Sequence, residues 1–120
     1  MRDSNILVQK SFSFAIRVVN LYKYLTHNKK EFTLSKQLLR SVTSIGANIN
    51  ESQEAQSRND FISKLSIALK EARETKYWIE LLKETDYLTD KEADSIREDI
   101  IELIKILTTI IKTTRSNSAK

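Results

Sequence analysis

Ser41–Leu82 reads SVTSIGANINESQEAQSRNDFISKLSIALKEARETKYWIELL, two helical patterns separated by almost no unpatterned sequence. At about 100° per residue, Leu34, Leu38, Val42, Ile45, Ile49 and Ser52 share one face of the helix running into this stretch. Phe61, Ile62, Leu65, Ala68, Leu69, Ala72, Lys76 and Ile79 share one face of the next. Each face needs a partner to leave water. Only Gln56–Asn59 lacks pattern, and Ser57 followed by Asp60 supplies the side-chain acceptors that open a helix. So short a connection forces an antiparallel pair.

Working outward, the pattern predicts helices over about 4–26, 34–55, 58–85 and 90–114, with a polar, frayed tail over Ser116–Lys120. Leu7, Phe14, Ala15, Val18, Leu21, Tyr22 and Leu25 line the first helix, and Ile96, Ile100, Leu103, Leu107, Ile110 and Ile111 the fourth. Thr33 is the expected cap of the second helix, and Thr89 with Glu92 forms a capping box for the fourth. The expected fold class is all-α, an antiparallel up-down four-helix bundle in a single domain over residues 1–120. One glycine, no proline and 30% charged residues agree with it, because helix interiors tolerate neither breaker. A chain of 120 residues can bury roughly 65% of its unfolded surface, enough for one core.

Two features exceed what one core needs. Phe12 and Val19 widen the apolar face of the first helix, while Ile67, Trp78 and Leu81 cluster away from the core face of the third. Large apolar groups on a second face commonly anchor a protein interface, so these five are the expected oligomer contacts. Gly46, inside the second helix, costs roughly 1 kcal/mol against alanine. With Ser41, Ser44, Ala47, Asn48 and Ala55 around it, the expectation is close approach of another helix; a polar cleft on Asn48 and Glu51 is the alternative.

The net charge of +4 is unevenly spread: +6 over Met1–Asn48, −6 over Ile49–Ile104 and +4 over Lys105–Lys120. Lys10, Arg17 and Tyr24 recur at seven-residue spacing on the first helix, with Lys23 beside them; Lys29, Lys30, Lys36 and Arg40 follow. Cations neutralise phosphates and an aromatic ring stacks on bases, so these eight residues are the candidate nucleic-acid surface. A solvated helix face has the same composition.

SIGANINE (Ser44–Glu51), SRNDFISKLSIALKEARET (Ser57–Thr75) and YWIELL (Tyr77–Leu82), with KSFSFA (Lys10–Ala15) and KQLLRS (Lys36–Ser41), resemble the signature of the 23S rRNA intervening-sequence family of bacterial four-helix bundles. The resemblance covers nearly the whole chain. Similar proteins include an accessory protein of diversity-generating retroelements, a homopentameric barrel of bundles that binds nucleic acid and a reverse transcriptase. The resemblance implies the fold, a pentamer, and RNA or DNA as partner; it implies no enzymatic activity.

The residues themselves offer little chemistry. Without cysteine there are no disulfides, zinc thiolates or cysteine nucleophiles. The only histidine, His27, has Tyr24 three residues before it, so the Glu-x-x-His pairs of a di-iron bundle are missing, and an exposed helix end is its expected place. One glycine cannot build a phosphate-cradling loop. Glu51-x-x-Glu54 and Glu71-x-x-Glu74 weakly resemble the paired acids with which helical nucleotide pyrophosphohydrolases hold magnesium, although the last position there is Asp. No catalytic residue, metal site or cofactor is therefore expected. Ile100–Ile111 is far shorter than the roughly 20 residues of a membrane span and contains Glu102 and Lys105, so a cytoplasmic protein without membrane contact is expected. The expected function is a non-catalytic, homo-oligomeric accessory factor that binds nucleic acid. A scaffold for a protein partner is the alternative, and the magnesium-dependent hydrolase is remote.

Overall fold

The computed structural model describes residues 2–118, and side chains over 4–117. Four helices occupy them: α1 (Arg2–His27), α2 (Leu34–Ser52), α3 (Arg58–Glu84) and α4 (Asp90–Ser118). The backbones of α1 and α2, α2 and α3, α3 and α4, and α4 and α1 run side by side, and among the described residues no such close approach crosses a diagonal. That closed order is an up-down four-helix bundle, as its short connections require. It measures 51 × 22 × 20 Å.

The core follows the predicted stripes. Leu7, Phe14, Val18 and Leu25 of α1, Leu38, Val42, Ile45 and Ile49 of α2, Leu65, Ala68, Ala72, Ile79 and Leu82 of α3, and all six named residues of α4 are buried. Lys76, placed on the α3 core face by its spacing, is only partly buried, and Phe61, Ile62 and Leu69 pack at the core's edge.

Helix ends depart from the sequence reading in three places. Expected to reach 55, α2 stops at Ser52, and Gln53, Glu54 and Ala55 turn back onto Asn50, Glu51 and Ser52. In place of a frayed tail, α4 runs on through Ser118; 119–120 lie outside the described residues. Thr33, finally, does not cap α2. Its backbone is already helical (φ −97°, ψ −58°), which denies its hydroxyl the reach that an extended cap residue has.

Glu31 caps α2 instead. Its carboxylate accepts from the backbone N–H groups of Thr33 (3.0 Å), Leu34 (2.6 Å) and Ser35 (2.8 Å), and the Ser35 hydroxyl donates to its carbonyl (2.7 Å). Three donors left unpaired by helix geometry meet one negative charge at the positive end of the helix. The other two predicted caps form: Ser57 Oγ accepts from Asp60 N–H (3.0 Å), and Thr89 and Glu92 exchange backbone-to-side-chain bonds of 2.8 and 3.1 Å.

Two non-glycine residues sit in the left-handed region, Lys30 (φ 55°) and Asp86 (φ 67°). At Asp86 the pattern is a Schellman ending, with Tyr87 N–H bonded to Leu82 O (2.9 Å) and Asp86 N–H to Lys83 O (3.1 Å). Glycine suits that position better. Asp86→Gly is therefore expected to stabilise the bundle by about 1 kcal/mol, raising Tm by roughly 3–6 °C in a calorimetric scan; an unchanged or lower Tm counts against this account of the turn.

Burial pushes the Glu31 carboxyl up, but hydrogen bonds from Ser35, Leu34 and Thr33 together outweigh it and hold the group below its ordinary value of 4.5. A carboxyl lowered on folding stabilises above its unfolded pKa, and that contribution disappears as pH falls through the folded one. Glu31→Gln should cost about 1–2 kcal/mol at neutral pH, and denaturant melts should show the gap to wild type closing below pH 4.5. A gap independent of pH would remove the charge from the explanation.

Candidate nucleic-acid and oligomer interfaces

The eight candidate cationic and aromatic residues separate by what each touches. Lys10 pairs with Glu102 of α4 (2.6 Å). Arg17 donates to Asp99 Oδ2 (2.7 Å), Ser95 Oγ (2.7 Å) and Ser95 O (3.3 Å). Arg40 joins Glu71 Oε2 (3.1 Å) and Glu74 Oε1 of α3, with Gln37 Oε1 at 3.2 Å. Lys10 and Arg17 bridge the seam between α1 and α4, where a cleft of about 680 Å³ opens beside Ile6, Ser13 and Phe14. These three cations act inside the bundle first. Exposed pairs are individually weak, so they remain half-accessible, but each would have to leave a carboxylate to meet a phosphate.

Lys23, Lys29, Lys30 and Lys36 are exposed and make no salt bridge among the described residues. All four lie within one connection and the helix turns beside it. The Lys29 ammonium stands 5.9 Å from the centre of the Tyr24 ring, within reach of a cation–π contact. It also helps to lower the Glu92 carboxyl, after the larger influence of the bonds from Thr89. His27 is exposed at the end of α1. The sequence reading missed Phe32, 60% exposed between Lys30 and Lys36. Its signal was present: a large apolar residue inside a charged connection, outside any helical stripe.

The predicted interface residues also divide. Phe12 is 65% and Ile67 43% exposed, whereas Val19 and Leu81 are half-buried. Trp78 does not stand free on a second face. It packs against the edge of the core, and its indole N–H donates to Glu74 Oε1 (3.3 Å), the same oxygen that Arg40 binds. Tyr77, 59% exposed, meets Trp78 edge-on at 5.1 Å and is the more accessible ring. Ile16, half exposed, was also missed. Since Lys10 and Arg17 reach α4, Phe12 and Val19, about 160° around the helix from them, occupy the other flank of α1, and Ile16 lies on its outer face away from Phe14 and Val18.

Gly46 lies about 120° around α2 from Arg40, and a Cβ placed there would meet nothing within 4 Å. The expected close approach of another helix is therefore not made inside this chain. Nor does a cleft form at Asn48, whose amide turns back onto Ser44 O (2.9 Å) and Ser44 Oγ (3.3 Å), while Glu51 is exposed.

The glutamate quartet is not gathered. Glu71 and Glu74 hold Arg40, which precedes Glu51 by eleven residues, about 16 Å of helix axis. Among the described residues, no group of three or more histidine, aspartate and glutamate side chains could hold a metal ion. No described helix is long and apolar enough to cross a membrane.

Fold and surface together define an all-α four-helix bundle whose outstanding features are exposed apolar strips and a lysine-rich end. The profile of the 23S rRNA-intervening sequence protein family matches residues 3–109, and the chain belongs to that family. Its fold is similar to the crystal structure of a protein of unknown function from the S23 ribosomal protein family of Bacteroides thetaiotaomicron. The two are 57% identical, with a TM-score of 0.90 over 92% of this chain and 98% of that one. No curated protein matches the sequence.

Proposed function

We propose that the protein is a non-catalytic, homo-oligomeric accessory factor of the cytoplasm that binds nucleic acid. The observation that carries the binding is the clustering at one end of the bundle of four exposed lysines, Lys23, Lys29, Lys30 and Lys36, that make no salt bridge among the described residues, while Lys10, Arg17 and Arg40 are paired. Unpaired ammonium groups can release counterions from a phosphate backbone without first breaking a contact of their own. The family's association with a 23S rRNA intervening sequence agrees with an RNA or DNA partner.

Assembly is proposed from the apolar strips. Phe12 and Ile16 on one side, and Ile67 and Tyr77 on another, keep large hydrophobic side chains in water in the single chain. Gly46 adds a floor without side chains beside the α1 strip, so its helix penalty has no return until something covers it. Strips on different helices suit head-to-tail contact between copies, which closes into a ring; five copies is the number implied by resemblance. The same strips would fit a different protein, the scaffold reading.

Two measurements test these halves. Phe12→Ser with Ile67→Ser should lower the light-scattering mass while circular dichroism keeps its helical signal, since both residues lie outside the core; an unaltered mass places the contact elsewhere. Replacing Lys23, Lys29, Lys30 and Lys36 by glutamine should weaken RNA and DNA binding and reduce the slope of log affinity against log salt by roughly 3. Binding that survives with its slope intact would refute this surface.

A further inference from the structure

Tyr24 and Phe32 are the exposed rings that accompany the unpaired lysines; Phe12 and Tyr77 belong to the helix strips. Phe32 is held by its neighbours. Glu31 is 6% exposed and tied to Thr33, Leu34 and Ser35, and Glu31 N–H bonds Leu25 O (2.9 Å), so the backbone on both sides of the ring is fixed. A fixed backbone that presents phenylalanine to water gains nothing for the fold from the ring. Tyr24 stands at the same end, its face already within reach of the Lys29 ammonium.

We propose that this end of the bundle recognises single-stranded nucleic acid, with Phe32 and Tyr24 stacking on unpaired bases while Lys23, Lys29, Lys30 and Lys36 follow the backbone. The inference rests on the nucleic-acid reading above and narrows it. A duplex buries the faces of its bases and offers these rings nothing, whereas a single strand offers a face at every nucleotide. Because order is already present in the free protein, little freedom is lost when a base stacks on Phe32. Asp86 in the α3–α4 connection and Asp90 at the start of α4 place negative charge on the other half of this end, which turns the strand towards the half formed by α1 and α2.

The test uses the full chain with a fluorescein-labelled oligothymidylate, a duplex of equal length and a labelled polyglutamate, read by anisotropy. Phe32→Ala should weaken the single strand about tenfold or more and leave the duplex unchanged. Phe32→Leu should behave like alanine, and Phe32→Tyr like wild type. Since Phe32 is largely exposed, circular dichroism and Tm should not move. Equal losses on single strand and duplex, or a leucine variant as good as wild type, overturn the stacking role. Polyglutamate bound as tightly as the oligonucleotide would mean that charge alone is read, and overturns it too. Wild type that binds neither oligonucleotide defeats the proposed function itself, a different result from wild type that binds while Phe32→Ala is silent.

Discussion

The bundle depends on how closely α2 and α3 approach. At their contact stand two small hydroxyl residues, Ser41 and Thr75, both fully buried with their oxygens 2.8 Å apart. Helix separation is set by the side chains at the crossing, and a leucine at either position would push the axes apart. The hydroxyls also reach Leu38 O (3.0 Å) and Glu71 O (2.8 Å) in their own helices. Two protons serve three contacts, so one proton is shared or one contact goes without at any moment, but neither hydroxyl oxygen is stranded. Arg40, Glu71 and Glu74 tie the same two helices together nearby, and Trp78 donates to the Glu74 oxygen that Arg40 binds. The long apolar stripes of α1 and α4 then have a fixed floor to cover.

Much of that was legible in the residues. Periodicity placed the core faces of α2 and α4 because their apolar residues recur without interruption from Leu38 to Ile49 and from Ile96 to Ile111. It failed at Lys76, where spacing alone cannot tell a core position from its margin. The caps at Ser57 and Thr89 were readable because donor and acceptor lie within one helical turn. Glu31 was not, because its carboxylate reaches forward from outside the helix to three successive N–H groups, a use set by the turn at Lys30 and by no local motif.

The surface was less legible than the fold, for a reason that Arg17 and Arg40 make plain. A cation recurring along a helix reads alike whether it meets a phosphate or a carboxylate on the next helix. Only packing shows that Asp99 and Ser95 face Arg17, and Glu71 and Glu74 face Arg40. Trp78 shows the same limit: an aromatic far from the core stripe of its own helix is partly buried against the core's edge and shares a Glu74 oxygen with Arg40 of α2.

This sorting divides the candidate cations by what lies within their reach. Lys10, Arg17 and Arg40 face acids one helix away, because antiparallel neighbours hold long side chains in register, and pairing there helps to fix which helices are adjacent. Lys29 and Lys30 in the connection between α1 and α2, with Lys23 and Lys36 on the adjoining helix turns, make no salt bridge among the described residues and stay open to whatever arrives from solution. A loop held by its own hydrogen bonds can display cations and rings without giving up order, and Glu31 supplies those bonds from within the loop. The group that starts α2 is thus the group that holds Phe32 in place, and the stability of the bundle and the presentation of its basic end rest on the same carboxylate.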